Sequence, residues 1–334
     1  MPENILCARV LNYARMKSTG SVDLSVQVGA LRLANPVLAA SGTFGYGIEF
    51  AHLVDLNRLG GIVVKGLSLE PLEGAPPPRI VETAGGMINA IGLQNIGVRA
   101  FVRDKMPELR KFSTAIVANV FGHTIREYAE VIRILDDAEG IAAYELNISC
   151  PNTDAGGSYF GTDPGLTSQV VSAARQVTKR PLWAKLSPNV TDIKAIARAA
   201  ESAGADALTV ANTYPAMSVD FRTGRSRLGR ASGGLSGPGI KPITMRLVYE
   251  AAGSVQRPIL ALGGIETGED VMEYLSVGAT AVQVGTAHFA DPSVSCEIVD
   301  DLEKLCKSAN MFNINEIRGK FKSESTCTTG RDVL

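Results

Sequence analysis

A cysteine between two carboxamides is the residue of this chain best placed to do chemistry. Cys150 lies in the segment Asn147-Ile148-Ser149-Cys150-Pro151-Asn152, after an apolar run that predicts a short buried strand. A thiol at the C-terminal end of a strand can reach a ligand above a sheet and act as a nucleophile or as a general base. A lone cysteine is also commonly an inert buried side chain, and position alone leaves both interpretations open.

Two lysines end apolar runs in the same way. Lys65 and Lys185 each follow apolar residues, so their stems are predicted to be buried and their amines to point out of a sheet. A buried ammonium needs a partner, because an unpaired charge away from water is costly. A bound anion would supply one. A Schiff base with a carbonyl substrate and an internal ion pair with Glu145 are the alternatives.

Glycines stand at the ends of the last two apolar runs. Gly263 and Gly264 precede one helical pattern, Gly285 and Thr286 lie at the end of the final strand, and a further cluster ends at Gly237. Glycines at such positions let backbone N–H groups approach phosphate oxygens, and a helix N-terminus adds a positive dipole end. The pattern predicts a phosphate-binding site, with plain tight turns as the alternative.

Carboxamides recur at the ends of the same runs. Asparagine carries a donor and an acceptor on one short group, which suits a planar ligand with amide edges. Any one of these residues can instead form a turn. They are Asn89, Asn119, Asn147, Asn152, Asn189 and Asn212, with Thr213 beside the last.

Eight apolar runs, each bounded by Gly, Pro, Asn or Ser, must position these residues. Most lack strict alternation, which is typical of strands buried on both faces of a parallel sheet. Helical patterns lie between them, for example over 127–137, 192–203, 241–252 and 269–276. The alternation predicts an α/β fold, a (β/α)8 TIM barrel. An open doubly wound sheet is disfavoured because no G-x-G-x-x-G follows the first run. The runs are 36–41, 61–66, 114–120, 144–149, 181–187, 207–213, 258–264 and 281–287.

Additional segments are predicted at both ends of the barrel. Residues 22–28 and 31–33, around Gly29-Ala30, predict an N-terminal β-hairpin that could close the bottom of the barrel. Three strand-to-helix connections are long: 67–96, 150–163 and 214–239. All three would lie on the C-terminal face, where barrels of this kind carry their sites.

Composition excludes several classes of function. Lysine and arginine total 33 against 34 acidic residues, and aromatics are 6%, which gives no electrostatic or stacking surface for nucleic acid. No apolar run reaches the length of a membrane span. Five cysteines without a C-x-x-C pair predict a reducing compartment, hence the cytoplasm, and no metal or iron–sulfur site in this chain.

The motifs, in their order along residues 22–310, resemble those of class 1 dihydroorotate dehydrogenases. The 147–152 segment is similar to the active-site motif of that family, and the other motifs are similar to its remaining signatures. These are Ala40-Ser41-Gly42-Thr43-Phe44-Gly45, Asn89-Ala90-Ile91-Gly92-Leu93, Ala184-Lys185-Leu186-Ser187-Pro188-Asn189, Ala211-Asn212-Thr213, Gly234-Leu235-Ser236-Gly237, Gly263-Gly264-Ile265 and Gly285-Thr286.

The resemblance implies oxidation of dihydroorotate to orotate on an FMN at the barrel mouth. It implies Cys150 as the general base. FMN would be held by Ser41, Lys65, Gly66, Asn119, Asn147, Lys185, Gly237, Gly263, Gly264, Gly285 and Thr286. Substrate would be held by Lys65, Asn89, Ile91, Gly92, Leu93, Asn147, Asn152, Asn212 and Thr213.

Two segments are most similar to the 1B branch of the family: Thr43-Phe44-Gly45, and Gly161-Thr162-Asp163-Pro164. That likeness implies a homodimer that joins an iron–sulfur, FAD-containing subunit in a heterotetramer and passes electrons to NAD. A fumarate-dependent 1A enzyme, a related FMN barrel acting on other pyrimidines, and a non-catalytic phosphate-binding barrel are the alternatives. The expected organisation is an N-terminal extension over 1–21, the barrel over 22–310 and a C-terminal tail over 311–334.

Overall fold

The computed structural model describes residues 22–148 and 160–322, and its centre is a closed barrel of eight parallel strands. With strands numbered along the chain, the order around the barrel is β10-β15-β16-β3-β4-β7-β8-β9. This confirms the predicted TIM barrel. The barrel strands are β3 (Val37–Ala39), β4 (Gly61–Val63), β7 (Ala115–Val120), β8 (Ile141–Asn147), β9 (Leu182–Lys185), β10 (Ala207–Val210), β15 (Ile259–Leu262) and β16 (Ala281–Val284).

Nearly every residue of these strands is buried, which explains why the runs do not alternate in polarity. Seven of the eight strands lie within a predicted run, whereas β8 begins at Ile141, three residues before the run predicted over 144–149. Several runs also continue past the strand. The run over 207–213, for example, holds a strand only over Ala207–Val210, and Ala211 is buried although it lies in the loop. A loop residue such as Ala211 is therefore as buried as the strand before it. The apolar sequence alone does not show where the strand ends and the loop begins.

Helices surround the barrel, and four of those in the described residues, α2, α3, α4 and α6 in the numbering given below, begin at polar caps. The side chains of Thr124, Asp163, Asp192 and Thr267 each accept a hydrogen bond from a backbone N–H in the first turn of a helix. The predicted helices are present to within two residues. The helices are α1 (98–109, with a π-helical stretch over Phe101–Lys105), α2 (Ile125–Asp136), α3 (Pro164–Val177), α4 (Ile193–Ser202), α5 (Lys241–Ala252), α6 (Gly268–Ser276) and α7 (Val294–Ser308).

The connection between β3 and β4 differs from the predicted alternation. It holds two 3₁₀ turns, Ile48–Phe50 and Leu56–Arg58, in place of an α-helix. Gly42, Gly45 and Gly47 all have positive φ there, a backbone conformation that a regular helix does not contain.

The N-terminal hairpin lies against the lower end of the barrel, as predicted. Its strands are β1 (Val26–Val28) and β2 (Leu31–Leu33), joined through Gly29 with φ +61°. An ideal Cβ on Gly29 would lie 3.3 Å from the carbonyl oxygen of Asp206, the residue before β10. The described part of the segment after 310 packs beside this hairpin. There the Asp23 N–H donates to the Phe312 carbonyl at 2.9 Å, and Ile314 is fully buried.

The first and third long connections form one sheet above the barrel. Their strands are β5 (Ile80–Thr83) and β6 (Gly86–Asn89) from the first, and β11 (Tyr214–Ala216) and β14 (Gly233–Ser236) from the third, in the order β11-β14-β6-β5. The third connection also carries a small hairpin, β12 (Val219–Asp220) with β13 (Arg225–Ser226). Asn89 pairs with Gly234 across the join of the two connections. Most of the second connection lies outside the described residues.

No helix within residues 22–148 and 160–322 combines the length and the apolar character that a bilayer crossing requires.

Candidate active site

One cavity collects the ends of all eight barrel strands. Every described residue that the family resemblance assigns to FMN or to the substrate lines it, whereas Cys150 and Asn152 lie outside the described residues. The lining includes Ser41, Lys65, Gly66, Asn89, Ile91, Gly92, Leu93, Asn119, Asn147, Lys185, Asn212, Thr213, Gly237, Gly263, Gly264, Gly285 and Thr286. Asn189 does not line the cavity; its N–H donates to the hydroxyl of Ser187 at 3.2 Å, as in a turn.

Carboxamides on one side of the cavity hold one another. Asn212 Nδ2 donates to Asn147 Oδ1 at 3.3 Å, and Asn212 Oδ1 accepts from the N–H of Thr213 at 2.8 Å. Asn89 Nδ2 donates to the carbonyl of Gly234 at 3.1 Å. These bonds fix the side chains before any ligand arrives, so the wall presents donors and acceptors in set directions.

Both predicted lysines reach the cavity from strand ends. Lys185 is 5% exposed, and its Nζ donates to Ser41 Oγ at 3.2 Å. Burial lowers the pKa of the Lys65 ammonium, and the nearby positive charge of Arg79 lowers it further. An anion at this point would offset both effects, because an opposite charge favours the protonated amine. Glu145, the alternative partner of these lysines, accepts hydrogen bonds from three neutral side chains.

The glycine loops that follow β15 and β16 also line the cavity. Gly264 has φ +67°, and a Cβ built on it would lie 2.7 Å from Lys241 Cβ and 3.0 Å from the Gly237 carbonyl oxygen. Only glycine allows these loops to lie so close at the N-terminus of α5. Thr286 Oγ1 donates to Ser236 Oγ at 2.7 Å, so the loop after β16 is tied to the third connection. The arrangement suits a phosphate group.

Two buried side chains hold these loops from beneath, and sequence reasoning missed both. Tyr274 Oη donates to the Gly263 carbonyl at 2.7 Å, and His288 Nδ1 lies 3.2 Å from the Gly285 carbonyl oxygen. A carbonyl only accepts, so Nδ1 carries the proton, and Nε2 accepts from Ser295 Oγ at 2.8 Å. Burial lowers the pKa of His288 to about 4. A lone histidine and a tyrosine within a helical pattern give no sequence signal of such a contact.

The cavity walls also fit the flat, hydrogen-bonding part of a ligand. Asn119 is fully buried, yet its Oδ1 has no hydrogen-bond partner among the residues that the structure describes. An unpaired buried acceptor is unfavourable, so a ligand donor at this point would stabilise it. Together with two lysines and the phosphate-type loops, this acceptor fits a phosphorylated planar cofactor such as FMN.

Comparison with known proteins gives the family. The dihydroorotate dehydrogenase family model matches residues 23–306. The chain belongs to this family. It is 54% identical over 299 residues to the putative dihydroorotate dehydrogenase A (fumarate) of Solibacter usitatus, covering 90% of this chain and 98% of that protein. It is 50% identical over 299 residues to the dihydroorotate dehydrogenase B (NAD(+)) catalytic subunit of Thermodesulfovibrio yellowstonii, covering 90% and 99%.

The solved structure of a protein named DHODH shares the fold of this chain. The Eimeria tenella DHODH crystallised with ferulenol superposes with a TM-score of 0.75 and covers 94% of each chain at 23% identity. Family membership confirms the predicted resemblance, the oxidoreductase activity and FMN as the cofactor. Relatives with two different acceptors in their names are about equally similar to this chain, so identity alone does not select an acceptor.

Proposed function

We propose that this chain oxidises dihydroorotate to orotate in pyrimidine biosynthesis, with FMN held at the barrel mouth and Cys150 as the general base. One observation carries the proposal. Predicted site residues at the ends of all eight strands, up to 245 positions apart in sequence (from Ser41 to Thr286), line a single cavity that combines carboxamides, two lysines and glycine loops.

The chemistry divides between two faces of the substrate. The reaction removes a proton from C5 and a hydride from C6 of dihydroorotate, and FMN, when bound, accepts the hydride. Cys150 would take the C5 proton. Asn89, Asn147, Asn152, Asn212 and Thr213 would hold the pyrimidine ring and its carboxylate, with Lys65 beside them. The hydrogen bonds of Asn212 with Asn147 and with the Thr213 N–H, and of Asn89 with the Gly234 carbonyl, would hold these side chains in place while the substrate is bound.

The cofactor's two ends would meet different residues. Gly237, Gly263, Gly264, Gly285 and Thr286 would take the phosphate at the loop end of the cavity. Ser41, Lys65, Gly66, Asn119, Asn147 and Lys185 would surround the ring. The charge of Lys185 would stabilise the negative charge that develops when the ring is reduced, an electrostatic contribution from a group already held by Ser41.

After each turnover, the electrons on FMN must pass to an acceptor. We infer a homodimer that joins an iron–sulfur, FAD-containing subunit and delivers electrons to NAD in the cytoplasm. Several relatives named as B (NAD(+)) catalytic subunits support it, at 48–51% identity over 89–90% of this chain. The name of the Solibacter usitatus relative, at 54%, supports the fumarate-dependent alternative.

The first experiment is spectroscopic. The purified chain, supplied with FMN, should show flavin absorbance that dihydroorotate bleaches without oxygen. Dihydrouracil, which lacks the carboxylate, should leave the absorbance unchanged. Bleaching by both compounds would favour an FMN barrel acting on other pyrimidines, and a chain that never takes up flavin would leave only the non-catalytic alternative.

A further inference from the structure

A glutamate inside the barrel has no role among the residues considered so far. Glu145 lies on β8, two residues before Asn147, and its side chain is fully buried. Its Oε1 accepts from Asn119 Nδ2 at 2.7 Å. Its Oε2 accepts from Thr209 Oγ1 at 2.7 Å and from Gln283 Nε2 at 2.5 Å. The carboxylate therefore joins four strands, β7, β8, β10 and β16, directly below the cavity floor.

The bond to Glu145 determines which way the Asn119 amide faces. A carboxylate oxygen accepts hydrogen bonds, so the NH₂ group of Asn119 must point at Glu145 and the amide oxygen must point away. That oxygen lies beside Gly66, where an ideal Cβ would be 2.9 Å from it. Both residues line the cavity, and this buried oxygen has no hydrogen-bond partner among the described residues.

We propose that Glu145 is a positioning residue that holds the Asn119 amide with its oxygen toward the cavity, so that the site selects a ligand offering an N–H donor there. The inference rests on the proposed function, because FMN and dihydroorotate each carry such an imide N–H. Without Glu145, the amide could turn and present its NH₂ group, and an imide N–H would then meet a donor instead of an acceptor.

Replacement by glutamine tests this role without a large packing change. In Glu145→Gln, the amide can place its NH₂ toward Asn119 and turn that residue over. It can also place its NH₂ group toward Gln283, whose buried Oε1 has no partner within residues 22–148 and 160–322 and can accept after rotation. The fold thus has a way to satisfy the new side chain, while the orientation of Asn119 is no longer enforced. Thr209→Val is the matched control, since it removes another bond to the same carboxylate and leaves the Asn119 contact in place.

The experiment is a double-mutant cycle read out by ligand binding. Dissociation constants for FMN and for orotate are measured on wild type, Glu145→Gln, Glu145→Leu, Asn119→Ala, the Glu145→Leu/Asn119→Ala double variant and Thr209→Val, with urea unfolding of each. Leucine offers Asn119 no acceptor, so we expect Glu145→Leu to weaken FMN about tenfold or more, as Asn119→Ala does. Glu145→Gln should weaken FMN no more than Glu145→Leu, because its amide oxygen can still accept from Asn119. The double variant should be no weaker than Asn119→Ala alone. A loss confined to orotate, with the same coupling, would keep the role of Glu145 and assign the N–H to the substrate.

Two results would overturn the inference. One is unchanged affinity for both ligands in Glu145→Leu, where residue 145 can no longer accept from the Asn119 NH₂ group. The other is a loss of ligand affinity that does not depend on Asn119. Replacing Glu145 would then weaken binding equally when residue 119 is already alanine, or Thr209→Val would weaken binding as much as the Glu145 variant does, and Glu145 would be a general core residue. Wild-type protein that binds neither ligand would refute the proposed function itself, and the inference would fall with it.

Discussion

Cys150 is the side chain on which the proposed chemistry depends most. We expect Cys150→Ala to lower kcat by roughly 10²–10⁴-fold, the usual cost of losing a general base, with little change in orotate affinity. Cys150→Ser should also be slow near neutral pH, because a hydroxyl loses its proton far less readily than a thiol. Steady-state turnover and orotate titration measure both effects.

Cys306→Ala is the control for this series, since that thiol is buried in α7 and does not line the cavity. It should turn over like wild type. Near-normal turnover in Cys150→Ala would refute the assignment of the base.

Lys185 tests the electrostatic part of the mechanism. Loss of its charge in Lys185→Ala should lower the FMN reduction potential and slow flavin reduction by dihydroorotate by roughly 10²-fold, the scale for one oriented transition-state donor. Stopped-flow absorbance and a redox titration measure the two quantities. Lys194→Ala, on an exposed position of α4, should change neither. If Lys185→Ala also changes neither, the lysine serves only to anchor Ser41.

At the scale of elements, the loop after β16 depends on a neutral histidine. The folded-state pKa of His288 is lowered to about 4 from an ordinary 6.5. The unfolded chain therefore binds a proton that the folded chain does not, and this contribution to stability is present above pH 6.5 and lost as pH falls toward 4. We expect the free energy of unfolding of both proteins to fall between pH 6.5 and 4. The fall should be larger in wild type than in His288→Asn, by about 3 kcal/mol. Urea unfolding at several pH values checks it; parallel profiles for the two proteins would contradict it.

The sheet shared by the first and third connections places Gly234 under Thr213. A Cβ on Gly234 would lie 2.0 Å from Thr213 Oγ1, whereas the nearest atom to a Cβ on Gly285 is 3.7 Å away, among cavity-lining side chains. Gly234→Ala should therefore displace Thr213 and weaken orotate about tenfold or more while FMN binding holds. Gly285→Ala should do the reverse, because its methyl enters space assigned to the cofactor. Equal effects of both variants on both ligands would mean that the two ends of the cavity are not separate subsites.

At the scale of the whole molecule, the question is where the electrons go. This chain has no C-x-x-C pair and no dinucleotide fingerprint. The isolated protein should oxidise dihydroorotate with an artificial dye and reduce NAD slowly unless an iron–sulfur flavoprotein is added. Steady-state assays with dye, fumarate and NAD in turn check this. Rapid NAD reduction by the chain alone would overturn the two-subunit arrangement, and rapid fumarate reduction would assign it to the fumarate-dependent branch.

Much of this protein follows from local sequence. The barrel strands are short apolar runs without alternation. A strand that is buried on both faces needs apolar residues at consecutive positions, so the local sequence is enough to predict it. Lys65, Lys185, Asn147 and Gly264 stand at strand ends, and a closed parallel barrel brings all such ends to one face. The strand-end residues could therefore be predicted to share one face, whereas the roles of the site residues, and those in the long connections such as Asn89, came from the family resemblance. Cys150 lies outside the described residues, so its role as base stays a prediction.

Tertiary structure alone decided the contacts between distant segments. The pairing of Asn89 with Gly234, the bond from Tyr274 to Gly263 and the bond from Asn119 to Glu145 each join residues whose neighbours in sequence reveal nothing of the partner. A hydrogen bond depends on distance and direction in space, and only closure of the barrel sets these. Residue type and periodicity thus determine which side chains reach the cavity, whereas the direction in which each polar group faces is fixed by partners that the folded chain brings together.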